Sequence, residues 1–161
     1  MKVKHIMALI ALSTGPLLAA PEYRQMGPDI FDPKAKAEKL VNDAVAQSGP
    51  ENKRVLLLFG ANWCPWCRTL HRVLTTDTVI AESLRRSFVL VPVDANTRND
   101  RNRNAAVVER YGNPLQHGLP VFVVLDSDGT QLTTRETASL SATTELAVAI
   151  KVRAFLAEWA K

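Results

Sequence analysis

Arg54-Val55-Leu56-Leu57-Leu58-Phe59-Gly60-Ala61-Asn62-Trp63-Cys64-Pro65-Trp66-Cys67 is the stretch that decides the fold. It begins with a short apolar run, Val55 to Phe59, closed by Gly60. A run of this length without polar alternation predicts a central strand buried on both faces. It ends with a cysteine at a helix start. Pro65 suits the first helical position, where its missing N–H costs nothing, and Leu70, Val73 and Leu74 supply the apolar face of the helix. Cys64 then falls at the helix cap, facing unpaired N–H groups and a positive partial charge. Both favour a thiolate, so the spacing predicts a lowered pKa for Cys64 and the role of attacking nucleophile. Cys67, inside the first turn, is the expected resolving thiol.

The chain has two cysteines, and they are three residues apart. Closing so short a loop restricts the unfolded chain little, so the pair suits chemistry better than stapling. A metal site would need His71 or His117 beside the cysteines and still lack a fourth ligand; no metal or cofactor is expected. Attachment of c-type haem requires histidine directly after the second cysteine, and position 68 is Arg.

Working outward, Asp32-Pro33 predicts a helix start and Gly49-Pro50 its end, with Ala37, Leu40, Val41, Ala44 and Val45 at helical spacing. Asp77 is the expected cap of a further helix carrying Val79, Ile80 and Leu84. Phe88 to Val93 reads as a strand in which Pro92 points to an edge or a bulge. Asn104 to Tyr111 reads as a short helix capped by Gly112. Pro120 to Leu125, a turn at Asp126–Gly129 and Thr130 to Arg135 form a hairpin. From Ser141 a closing helix is expected to bury Leu146, Ile150, Val152, Phe155, Leu156 and Trp159. The alternation predicts an α/β domain with parallel pairing of the early strands and an antiparallel last hairpin, a mixed sheet with helices on both faces.

The N-terminus carries Lys2 and Lys4, an apolar run from Ile6 to Leu12, the breaker Gly15-Pro16 and the small residues Ala19-Ala20. That order is the pattern of a secretory signal peptide. The expected organisation is a signal peptide over residues 1–20, a flexible lead-in over 21–31 and one domain over 32–161, located in the periplasm or secreted, with no stable membrane insertion after cleavage. Loss of Lys2 and Lys4 takes the formal charge from +4 to +2, which argues against a nucleic-acid partner. Arg98, Arg101 and Arg103, diluted by Asp100 and several asparagines, read as a solvated loop.

Phe59-Gly60-Ala61-Asn62-Trp63-Cys64-Pro65-Trp66-Cys67 resembles the active-site strand and turn of the thioredoxin superfamily. Val93-Asp94 with Asn104 to Gly112 resembles that family's central strand and short helix. Gly118-Leu119-Pro120 resembles its cis-proline segment. The resemblance, over about residues 32–161, implies a thioredoxin-like fold with about four strands and a cis Pro120 beside Cys64. It also implies that Leu119 offers backbone groups to an extended substrate. Trp66 is a candidate apolar rim for substrate, and His117, three residues before Pro120, a candidate modulator. Three departures stand out. Leu58 occupies the position of the family's buried aspartate, no strand clearly precedes the first helix, and the 96–104 connection is long and polar.

The expected activity is exported thiol–disulfide exchange with protein thiols or disulfides, together with a redox partner protein. The alternative is a non-enzymatic thioredoxin-fold module, metal-binding or acting as a redox-sensitive adaptor.

Overall fold

The computed structural model describes residues 26–99 and 101–161; the signal segment expected over 1–20 lies outside them. Helix α1 (Ala37–Ser48) precedes strand β1 (Arg54–Gly60), and helices α2 (Pro65–Thr76) and α3 (Thr78–Ser87) lead to β2 (Phe88–Asp94). The short helix α4 (Ala105–Arg110) and a 3-10 turn at Pro114–His117 lead to β3 (Val121–Leu125) and β4 (Gln131–Glu136). Helix α5 (Glu145–Glu158) closes the fold. The strands lie in the order β2-β1-β3-β4.

The apolar run of β1 is central, as its composition requires. Its alternate residues feed two cores, because successive side chains on a strand point to opposite faces. Leu56 and Leu58 join Phe122 and Val124 against Leu70, Val73, Ile80, Val152, Phe155 and Leu156 of the α2, α3 and α5 layer. Val55, Leu57 and Phe59 join Val91, Val93, Val121 and Val123 against Val41, Ala44 and Val107 of α1 and α4. Both cysteines belong to the first core.

β1 and β2 are parallel, as expected of a strand–helix–strand unit. β3 is not: it runs antiparallel to β1, with Phe59 opposite Val121 and Val55 opposite Leu125. The connection from β2 to β3 explains the difference. Its helix α4 has six residues, which span about 9 Å, whereas β2 has seven residues and rises about 23 Å. Among the described residues no helix long enough to carry the chain back along the sheet lies in this connection, and β3 starts at the end where β2 stopped. Among the described residues β2 is an edge strand, and its Pro92 is exposed. An edge position tolerates the lost donor.

Two helices differ from their sequence readings. Asp32 caps a local turn, accepting from the Lys34 N–H at 2.8 Å, and α1 starts only at Ala37. The Ala37 N–H is satisfied instead by Asn104 Oδ1 at 3.0 Å, from across the molecule. In α5, Val148, Val152, Phe155 and Leu156 are buried, while Leu146 and Ile150 are 67% and 57% exposed. The helix is apolar nearly all round, so periodicity does not separate its two sides. The sheet covers the Val148–Val152–Phe155 side.

Candidate active site

Cys64 is the cap residue of α2, and its Sγ accepts from the Cys67 N–H at 3.2 Å. The strand-to-helix junction makes this geometry. The Cys64 N–H is held by the Ala61 carbonyl at 3.0 Å, and the Arg68 N–H reaches the Cys64 carbonyl at 3.2 Å. Both cysteines are buried, Cys64 at 5% exposure and Cys67 at 1%.

Their protonation is split. The Cys64 pKa is lowered to about 7, first by the hydrogen-bonded Cys67 thiol and then by the N–H groups of Cys67 and Trp66 and the charge of Arg98, against an opposing effect of burial. Cys67 is pushed far upward, because its thiol serves Cys64 as donor and lies in an apolar surround. Leu58, 3% exposed in the same cluster, is part of that surround. At pH 7 about half of Cys64 is thiolate, against about 3% for an ordinary thiol of pKa ~8.5.

Three loops converge on the pair. The Leu119–Pro120 peptide is cis, and the Cys64 thiol reaches the Leu119 carbonyl at 3.7 Å. Trp66 is half-buried rather than a free rim: its Nε1–H donates to Thr137 Oγ1 at 3.2 Å, and the Thr137 hydroxyl donates to the Pro120 carbonyl. One buried hydroxyl thus couples the cysteine turn to the cis-proline segment. Trp63 is fixed on the other side, its Nε1–H donating to Asn96 Oδ1 at 2.8 Å while the Arg98 guanidinium lies 3.7 Å from the ring centroid.

The lead-in also belongs to this architecture. Asn62 Oδ1 accepts from the Ile30 and Phe31 N–H groups at 2.8 and 2.9 Å, and its Nδ2 donates to the Phe31 carbonyl. Arg68 bridges the Asn62 and Pro28 carbonyls. The Phe31 ring lies where a Cβ on Gly60 would stand, so glycine at the strand end admits the aromatic ring. The described part of the expected flexible segment, residues 26–31, is anchored because its apolar ring and its backbone polar groups both find partners.

The structure brings Cys64, Cys67, Trp66, Leu119 and Pro120 together and leaves His117 apart from them. That side chain is exposed on its 3-10 turn, and the hydrogen bonds of the cysteines do not involve it. The nearby cation is Arg98, which the composition of its loop had marked as solvated. Asn62, Asn96 and Thr137 carry no local signal either, since each meets the site through a partner 31–71 residues away, Phe31, Trp63 and Trp66 respectively. Among the described residues no group of three or more His, Cys, Asp or Glu could hold a metal ion, and no helix is long and apolar enough to cross a membrane.

A mixed sheet flanked by helices, with a Cys-x-x-Cys pair at a helix cap beside a cis-proline, defines a thioredoxin-fold thiol–disulfide oxidoreductase. The chain belongs to the thioredoxin-like family, whose model matches residues 36–127. It is similar to the crystal structure of a disulphide isomerase from Xylella fastidiosa Temecula1, at 30% identity and TM-score 0.68, over 80% of this chain and 95% of that one. A DsbH oxidoreductase matches at 19% identity and TM-score 0.46, over 94% and 95% of the two chains. The C-terminal domain of Neisseria meningitidis DsbD in its oxidised form matches at 24% and 0.45, over 67% and 86%. No curated protein sequence matches the chain.

Proposed function

We propose that the chain is exported and exchanges disulfides with protein substrates through Cys64 and Cys67. The observation that carries this reading is the geometry of the pair: Cys64 caps α2 and accepts the Cys67 N–H at 3.2 Å beside the cis Leu119–Pro120 peptide, with Cys67 buried behind it. The Cys64 thiolate attacks one sulfur of a substrate disulfide. A Cys64–substrate disulfide forms, the substrate bond breaks, and the departing thiolate takes a proton. Cys67 then gives up its proton to water and attacks Cys64 Sγ. The enzyme leaves as the Cys64–Cys67 disulfide, and the substrate has gained two electrons and two protons as two thiols. The reverse sequence oxidises a substrate dithiol.

Leu58 shapes the second half of this cycle. With an apolar side chain where the family carries a carboxylate, the Cys67 proton leaves to water or another group, and resolution is expected to be the slower step. Leu119 and Pro120 form the substrate edge, the Leu119 carbonyl lying 3.7 Å from the Cys64 thiol. Trp66 flanks it.

Cys67→Ser tests the reading. The variant should accumulate mixed disulfides through Cys64, seen as reductant-sensitive conjugates on non-reducing gels and absent from the Cys64→Ser/Cys67→Ser double variant. No conjugate, together with no insulin reduction and no refolding activity by the wild type, would sink it. Export is tested separately, by the N-terminal sequence of the mature protein from the periplasm or medium.

A further inference from the structure

We infer that Arg98 is a specificity-determining residue of this site, selecting substrates that carry a carboxylate beside the disulfide to be attacked. The inference rests on the thiol–disulfide exchange proposed above. Its basis is the placement of one cation among three. Arg98, Arg101 and Arg103 share the connection that follows β2, and composition gives them no distinct roles.

The structure separates them. Arg103 turns inward: its Nε lies 3.3 Å from Asp94 Oδ2, a carboxylate 3% exposed, and its guanidinium donates to the Pro33 carbonyl. Arg101 adds its charge to the same carboxylate. Arg98 alone turns toward the cysteines. Its guanidinium carbon lies 3.7 Å from the centroid of the Trp63 ring, and Trp63 directly precedes Cys64.

The mount is specific. Asn96 Oδ1 accepts from the Trp63 indole N–H at 2.8 Å and from the Arg98 backbone N–H at 2.9 Å, so one amide oxygen sets the ring and the residue that covers it. Asn96 is 8% exposed, and its own N–H is held by Asp94 Oδ1 at 3.2 Å. A guanidinium held over a ring keeps N–H donors for another partner, in the fork that suits a carboxylate. Arg98 itself is exposed. In this inference a substrate strand laid along Leu119 with its disulfide at Cys64 brings one flank to the cation above Trp63. The same charge favours the Cys64 thiolate, but that effect is shared by every substrate and carries no selectivity.

The test uses two disulfide-bonded peptides identical except for Glu or Lys beside the cysteine, reacted with the reduced full-length mature protein in stopped flow. Both probes meet the same thiolate, so the ratio of their rates cancels any change in Cys64 ionisation. Wild type should prefer the Glu probe about five- to tenfold at low salt, and the preference should shrink by 0.5 M salt. Arg98→Gln should bring the ratio to near one and Arg98→Glu should invert it, while Arg98→Lys retains part of it. Equal rates for both probes in wild type, or a preference that survives in Arg98→Gln, would overturn the inference and leave the oxidoreductase reading standing. A wild type that reacts with neither probe would overturn both.

Discussion

The two loops that leave the sheet side by side were built by different means. β1 and β2 end together, with Gly60 opposite Asp94, and the Ala95 N–H donates to the Gly60 carbonyl at 2.8 Å. From β1 the chain enters a turn whose geometry is local: proline at the first helical position and a cap that bonds three residues ahead. From β2 it enters a connection with little regular structure, ordered by side chains that reach across the loop and to distant partners. Asp94 holds Arg103, Asn104 reaches Ala37 and the Asp94 carbonyl, and Asn96 holds Trp63. The first loop supplies the sulfur chemistry. The second fixes what surrounds it, and a loop ordered by remote contacts can be altered without disturbing the cap.

The strongest way to break that contrast is through the clamp on the cysteine turn itself. Asn62→Ala removes three hydrogen bonds and leaves the buried Phe31 backbone without its partners. Lost bonds of about 1 kcal/mol each give an expected loss of about 3 kcal/mol in urea denaturation. Asp94→Ala should cost somewhat less, about 2–3 kcal/mol. It strips the counter-ion from Arg103, but that side chain keeps 31% exposure and partial access to water. The contrast predicts that the reactivity of Cys64 in the folded Asp94→Ala protein changes little, since α2 and its N–H groups are intact. Burial holds the Asp94 pKa above the usual carboxylate value despite Arg103. Folding therefore binds a proton between the two values, and this group makes the protein less stable as pH rises through that window. Asp94→Asn should flatten that slope.

Thr137→Val is a smaller perturbation of nearly the same shape. It cuts the bridge between Trp66 and the Pro120 carbonyl, with an expected loss of about 1–2 kcal/mol. Because the bridge joins the cysteine turn to the substrate edge, exchange with a protein disulfide should slow more than alkylation by iodoacetamide, which needs no substrate edge. Equal slowing of both would mean that the bridge serves the cysteine turn alone.

These cases also show where the sequence was legible. Val55–Phe59 could be read because an unbroken apolar run declares its own burial, and Cys64-Pro65 and Asp77 because their capping partners are close in the chain; Asp77 caps α3 through the Val79 and Ile80 N–H groups as expected. The direction of β3 was not legible, because it depends on α4 being too short to carry the chain back. Leu146 and Ile150 were misplaced because an all-round apolar helix does not declare which side the sheet will cover. Phe31, Asn62, Asn96, Arg98 and Thr137 were passed over for a common reason: each makes a contact that spans more than 30 residues of chain. An exposed-looking arginine among asparagines reads as a solvated loop until the fold sets a tryptophan beneath it.

The finest measurement of the contrast is the titration of Cys64. Its alkylation rate should rise with pH and level off above a midpoint near 7. The influences that lower this pKa are unequal: the Cys67 thiol comes first, the N–H groups of Cys67 and Trp66 follow, and Arg98 comes last. All but the last belong to the α2 turn. Arg98→Gln removes only the contribution of the β2 connection, so its midpoint should rise by a fraction of a unit and stay well below the ~8.5 of an ordinary thiol. A less acidic Cys64 makes the reduced form less stable, so the reduction potential should fall, by less than the ~30 mV that a tenfold change in the equilibrium constant represents. A midpoint that jumped to ~8.5 in Arg98→Gln would reverse the division of labour between the loops. The helix cap would then be a scaffold, and the cation delivered by the neighbouring strand would be what holds Cys64 ready to react.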